Sequence, residues 1–244
     1  MGEVELFGGA PAIVGVLKNL SIRDAQRAQE QGADVIELRI DLLNDEERRV
    51  EKVKEFVSML TMPVVITNRK KEEGGSFTGT EEERIAMLSS ILDTAEVDAV
   101  DLEFSSLTAA GKTRIVEKAN SLHIPVIFSF HDFKGMPSRS ELVKLIARMY
   151  EEGGSIAKIA VTPHTLSDAL LLLDLTHELS REGKLLATIG MGAVGRHLRV
   201  IAPLYGSVLT YGFIEGDEEV APGQFGVKEL KSMLEKLDVK QSAS

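Results

Sequence analysis

Short β-branched runs alternate with longer amphipathic stretches from one end of the chain to the other. The apolar runs predict strands at Ala12–Leu17, Val35–Ile40, Pro63–Asn68, Ala99–Phe104, Ile124–His131, Ile156–Val161, Leu185–Met191 and Val208–Phe213. Between them, helical periodicity marks Glu46–Leu60, Glu82–Ala95, Arg139–Glu151 and Leu166–Glu182. Ser21, Thr80, Ser138 and either Thr165 or Ser167 stand where N-caps belong, because a side-chain oxygen there can take an unused first-turn N–H. Gly32, Gly153 and Gly183 follow helical stretches, where a left-handed C-cap suits glycine.

Strand–helix alternation predicts a parallel sheet with right-handed crossovers. Eight strands, each followed by a helical segment, is the count that a closed (β/α)8 TIM barrel requires. An open doubly wound sheet is the structural rival, since the same alternation builds both. The length of 244 residues suits one barrel, and no linker or composition shift divides the chain. The expected organisation is a single domain over residues 1–244 with a short polar, frayed tail at 238–244.

Strands buried on both faces should read as nearly continuous apolar runs, so their polar exceptions carry information. The exceptions gather at the C-terminal ends. Glu37 and Arg39 are two apart and share a face. Asn68 and Arg69 run into Lys70–Gly75; Asp101 and Glu103 follow, then Ser129 and His131, then Lys158. In a barrel these ends form one rim, and active sites are built there.

Lys158 sits in Ile156-Ala157-Lys158-Ile159-Ala160-Val161, and burying an unpaired ammonium is costly. Two explanations stand. A salt bridge to Glu37, Asp101 or Glu103 would suffice; alternatively the amine is a nucleophile, its pKa lowered by desolvation and by cations such as Arg39 or Arg199. His131 is either a hydrogen-bonded structural residue or a proton shuttle facing the same cavity, with Glu73 able to orient it and raise its basicity. His123, His164, His177 and His197 show no metal-ligand spacing, and there is no HExxH, so no metal site is expected.

Charge narrows the function classes. With 28 Lys and Arg against 38 Asp and Glu, the net charge is −10, which disfavours a general nucleic-acid or anionic-membrane binder. A few arginines in a cleft would still suit an anionic small substrate. The absence of Cys excludes disulfides and thiolate metal sites. Met1–Ala10 lacks a basic n-region and a long apolar h-region, and the apolar stretch Ala169–Leu175 is interrupted by Asp174 and too short to span a bilayer. A cytoplasmic location is expected. Gly190-Met191-Gly192-Ala193-Val194-Gly195 spells GxGxxG between a strand and a helix. It follows the seventh strand, whereas the dinucleotide fingerprint usually opens its domain, so it reads as a glycine-rich barrel loop.

These residues carry a resemblance to the type I 3-dehydroquinate dehydratases along nearly the whole chain. The matching segments are Val35–Arg39, Arg69–Gly75, Phe128–Phe133, Ala157–Pro163, Met191–Arg199 and Ala221–Gln224, in order. The resemblance implies a (β/α)8 barrel that dehydrates 3-dehydroquinate to 3-dehydroshikimate in aromatic biosynthesis. It implies that Lys158 forms an imine with the substrate ketone, that His131 is the general acid/base and that Glu73 positions His131. Arg199 would bind the substrate carboxylate, with Glu37, Arg39, Arg69 and Gln224 on the ring hydroxyls and carboxylate. Glu215–Gln224 resembles a lid. The resemblance further implies a homodimer and no metal, nucleotide or organic cofactor. Arg196 is not the matching arginine; Arg199 is. One departure is Val220, where many members carry a Ser or Thr shortly before Ala-Pro-Gly-Gln. A class I aldolase on the same fold is the enzymatic alternative. A barrel that binds without catalysis is the other, although Lys158, His131 and Glu73 together argue against decay.

Overall fold

A computed structural model describes residues 10–104, 109–216 and 223–239. The leader reading at Met1–Gly9, the middle of the lid stretch at 217–222 with Val220, and the tail beyond Val239 lie outside the described residues. The apolar runs form β1 (Ala12–Leu17), β2 (Val35–Arg39), β3 (Val64–Thr67), β4 (Ala99–Glu103), β5 (Val126–Asp132), β6 (Ile156–Val161), β7 (Leu186–Gly190) and β8 (Leu209–Phe213), with a two-residue β9 (Phe225–Gly226). All pair in parallel, in the order β7-β6-β5-β4-β3-β2-β1-β8-β9. The sheet curls until its ends meet. The seam between β7 and β8 is a single parallel bridge, Leu186 to Ser207, where Val208 N–H donates to Leu186 O at 2.7 Å. Ser207 Oγ strengthens it by accepting from Thr188 N–H at 2.9 Å. This is the (β/α)8 barrel that the alternation predicts.

Helices α1 (Ile22–Glu30), α2 (Val50–Ser58), α3 (Glu81–Thr94), α4 (Ala109–Ser121), α5 (Arg139–Glu151) and α6 (Leu166–Arg181) alternate with the strands, followed by the short α7 (Gly192–Gly195) and α8 (Leu198–Ile201) and then α9 (Val227–Lys236). Ser21 caps α1, and Thr80, Ser138 and Thr165 form capping boxes with Glu83, Glu141 and Asp168. Each such cap contributes about 1 kcal/mol. Gly32, Gly153 and Gly183 adopt φ of 98°, 92° and 79°, the left-handed region expected of them.

Most element boundaries shift by a residue or two from expectation, and the late starts of α2 and β5 each have a local reason. α2 begins at Val50 rather than Glu46 because Asn44 Oδ1 accepts the N–H groups of Glu46 and Glu47 and closes a separate turn. β5 begins after Pro125, which has no N–H to contribute, and after His123 at a left-handed φ of 57°. The GxGxxG run is a barrel loop. A Cβ on Gly190 would lie 2.2 Å from Gly195 O, so these glycines serve backbone-to-backbone packing at the end of β7.

Two apolar layers result. Outside the sheet, Ile36, Leu38, Ile66, Val100, Leu102 and Phe128 meet helix residues such as Phe56, Leu88, Leu142 and Leu172. Inside it, Val14, Val35, Val65, Ala99, Ile127, Ile156 and Leu209 fill the barrel floor. Strand side chains alternate between the two with period two. One inward step above that floor, the same parity presents Glu37, Thr67, Asp101, Ser129 and Lys158, all buried. A dry floor therefore carries a charged layer facing the rim. No described helix is long and apolar enough to cross a membrane.

Candidate active site

A cavity opens above the charged layer at the barrel rim. Its lining includes Glu37, Arg39, Arg69, Glu73, His131, Lys158, Arg199 and Gln224, all eight of the site residues expected from the sequence. These come from β2, the β3–α3 loop, β5, β6, α8 and the approach to β9, elements far apart in the chain and adjacent only because the barrel closes.

Lys158 has defined partners. Its Nζ lies 2.9 Å from Asp101 Oδ2 and 3.5 Å from Glu37 Oε1. Glu37 is itself held by Thr67 Oγ1–H, which donates to its Oε1 at 2.8 Å. Asp101 bridges two cations: its Oδ1 lies 3.0 Å from Arg69 Nη2 and accepts from Ser129 Oγ at 2.6 Å. Arg69 Nη1 donates to Ser129 Oγ, also at 2.6 Å. Register explains the cluster, because Asp101 aligns with Thr67, and Ser129 with Lys158.

The protonation of Lys158 is opposite to the depressed pKa expected for a lysine next to Arg39 and Arg199. Burial does disfavour the ammonium, but the carboxylates of Asp101 and Glu37 outweigh it, and the amine is held above the ordinary lysine value. Arg69 is the cation that acts against the charge. Arg39 is occupied elsewhere, donating to Asp41 through Nε at 2.8 Å and Nη2 at 2.7 Å. Asp101 moves the other way: burial opposes its charge, yet Arg69, Lys158 and further neighbours hold it well below the carboxylate range.

His131 Nδ1 lies 2.9 Å from Glu73 Oε2. The expected rise in basicity does not follow. Burial, with Arg69 and Lys158 nearby, depresses the imidazole well below 6.5 despite Asp101. His131 is therefore a neutral ring, oriented by a carboxylate and ready to accept a proton. Phe133 stacks on it, centroids 6.2 Å apart and 15° from parallel.

Glu73 owes its place to a loop that Asp41 secures. Besides holding Arg39, Asp41 accepts the backbone N–H groups of Arg69 and Ser76, each at 3.0 Å, and so pins both ends of the loop. Gly75 is required there, because a Cβ would lie 2.1 Å from Arg69 O. Below, Arg84 pairs with Glu103, donating to its Oε2 at 2.6 Å and also to Asn68 O at 2.8 Å. Arg199 is buried in α8 and reaches the Tyr211 carbonyl through Nη1 at 3.4 Å. Gln224, also buried, precedes β9.

Asp41 and Tyr211 are site residues that the sequence reading missed. Asp41 lies just past the β2 run and looks like a loop carboxylate. Tyr211 shares inward parity with Leu209 and could have been found by extending the period-two reading to the eighth strand. Among the described residues no cluster of three or more metal-binding side chains occurs.

Comparison with known proteins gives a consistent result. The family model described as type I 3-dehydroquinase matches residues 13–241. A 3-dehydroquinate dehydratase of Methanosarcina acetivorans is 40% identical over 229 residues, covering 93% of this chain and 94% of the relative. Among solved structures, the 3-dehydroquinate dehydratase of Geobacillus kaustophilus superposes with a TM-score of 0.85 at 26% identity, covering 93% of this chain and 91% of the other. The type I enzyme of Clostridium difficile, solved with covalently modified comenic acid, gives a TM-score of 0.83 at 30% identity, covering 94% and 92%.

Proposed function

Since the chain belongs to the type I 3-dehydroquinase family, we propose that it is a hydro-lyase that converts 3-dehydroquinate to 3-dehydroshikimate in the shikimate pathway, through an imine on Lys158. The observation that carries the mechanism is one cavity lined by both a buried amine and a neutral histidine held by a carboxylate. Lys158 rests as an ammonium, and His131 is the base available to take its proton. The amine adds to the substrate ketone, and loss of water from the carbinolamine leaves a protonated imine. That cation is an electron sink and acidifies the adjacent C–H, from which His131 removes the proton. The resulting enamine expels the β-hydroxyl, which leaves as water with a proton from His131. Hydrolysis of the imine regenerates Lys158, so one molecule of water is lost overall.

Arg199 binds the substrate carboxylate, because a guanidinium fork matches two oxygens. Glu37 and Gln224 bond ring hydroxyls. Arg39 contributes through the nitrogen not used by Asp41, and Arg69, already tied to Asp101 and Ser129, contributes mainly charge. The reaction needs no metal or organic cofactor. The family likeness supports a cytoplasmic homodimer with the whole 244-residue chain as one domain.

An ultraviolet assay for the conjugated product tests the activity directly. His131→Ala is expected to form the borohydride-trapped adduct yet turn over about 10²–10⁴-fold more slowly; full turnover would remove His131 from proton transfer. A second expectation concerns pH. The depressed His131 pKa keeps the ring neutral below 6.5, and the base is lost only when pH falls through the lower value. The acid limb of kcat/KM, which reports the free enzyme, should therefore lie below pH 6.5, and a limb above it would contradict this assignment.

A further inference from the structure

Tyr211 lies with its ring under the amine nitrogen of Lys158. It lines the cavity from β8, is 4% exposed, and its ring centroid lies 4.0 Å from Lys158 Nζ. An ammonium within about 6 Å of an aromatic face is attracted to the ring quadrupole, most strongly where water is excluded. The other groups facing this nitrogen are Glu37 from β2, Arg69 from the end of β3, Asp101 from β4 and His131 from β5. The carboxylates act through directed hydrogen bonds, and a lysine ammonium has three N–H groups to give. Once the nitrogen becomes a protonated imine it keeps one N–H, so the bonds to Asp101 and Glu37 cannot both persist. A ring face asks for no N–H. Its attraction is to charge, and it survives the change from tetrahedral ammonium to planar iminium.

We propose that Tyr211 is a further catalytic residue whose ring face, rather than its hydroxyl, holds the cationic nitrogen of Lys158 as the resting ammonium and again as the imine. This deepens the imine reading above and rests on it. Burial holds the phenol well above the usual tyrosine range, so at neutral pH the side chain offers Lys158 a ring and no negative charge. The effects in the free and the bound enzyme are opposite. In the free enzyme the ring favours the ammonium, so its removal should make Lys158 reactive at lower pH. With substrate bound the iminium has one N–H where the ammonium had three, so it has fewer hydrogen bonds to fall back on; losing the ring costs the iminium more than the ammonium and should lower imine occupancy. Proton abstraction discharges the cation, and that step gains nothing from the ring; kcat should fall less than kcat/KM.

The experiment has two readouts, each made on wild type, Tyr211→Leu, Tyr211→Phe and proteins carrying progressively fluorinated phenylalanines at position 211. Fluorine drains the ring face at nearly constant volume. The first readout is the fraction of protein trapped by borohydride with 3-dehydroquinate. The second is the pH at which Lys158 of the free enzyme reacts with an amine-selective reagent, followed by mass spectrometry. Tyr211→Leu should trap about tenfold less at subsaturating substrate and shift the reactivity midpoint down by the smaller amount of about half a pH unit. Tyr211→Phe should restore trapping to within about twofold of wild type, and the fluorinated series should decline in steps. Equal losses in the Phe and Leu variants would assign the effect to the hydroxyl and overturn the proposal. A flat fluorinated series would overturn it as well, and that series decides the matter if the Leu variant does not fold. Absence of an adduct on wild type would instead sink the imine reading, while the free-enzyme titration, which needs no substrate, still decides whether the ring holds the amine.

Discussion

Lys158→Ala protein gains no mass from borohydride and 3-dehydroquinate, and its turnover falls on the order of 10⁵-fold or more, the scale on which loss of a covalent nucleophile acts. Methyl for aminobutyl leaves nothing in the cavity that can form an imine. The protein should still fold, because Asp101 keeps Arg69 and Ser129 as partners when Lys158 is removed. Urea unfolding of the variant separates lost chemistry from lost structure. Lys70 lines the neighbouring loop, with its amine 3.8 Å from Glu73. An adduct that persists in the variant, on Lys70 or elsewhere, would move the nucleophile away from Lys158.

Asp101→Ala should destabilise the fold by about 3–5 kcal/mol, the usual loss when one partner of a buried ion cluster is removed. Asp101 is fully buried and touches Lys158, Arg69 and Ser129 at once, so its removal leaves two cations facing each other without their shared counter-charge. The pH dependence follows from the direction of its shift. A carboxylate depressed below its ordinary value of 3.8 contributes its full stability above that pH and loses it as pH falls through the lower folded value. The gap between wild type and variant should be constant near neutrality and close only in acid below about pH 4. Urea midpoints at several pH values measure it. A gap under about 1 kcal/mol near neutral pH would mean that Lys158 and Arg69 find other compensation.

Asp101 also marks how much could be read in advance. Along the chain it stands among the possible salt-bridge partners of Lys158, together with Glu37 and Glu103. The structure chooses Asp101 and Glu37 for Lys158, and gives Glu103 to Arg84 and Arg69. The sorting comes from strand register, since Lys158 aligns with Ser129, Ser129 with Glu103, and Asp101 with Thr67, a set of offsets no single strand encodes. The two readings of Lys158, salt bridge or nucleophile, turn out not to exclude each other. The amine is paired and held as a cation in the resting cavity, and the proposed chemistry begins by releasing it.

The N-caps at Ser21, Thr80 and Ser138, the left-handed glycines and the eight apolar runs were legible because each is decided within a few residues. So was the presence of Glu37, Arg39, Asp101, His131 and Lys158 at strand ends, where period-two alternation makes a charged residue conspicuous. Arg39 and His131 show where local reading stops. Arg39 was expected to lower the Lys158 pKa but is bound to Asp41, and His131 was expected to gain basicity from Glu73 but loses more to burial and nearby cations. Protonation depends on the sum of charges and solvent exclusion around a point, and in this barrel the carboxylates at Lys158 arrive from strands 57 and 121 residues away in sequence. Residue identity and local geometry were set along the chain; partner choice, charge state and the place of Tyr211 against the amine were set only when the barrel closed around them.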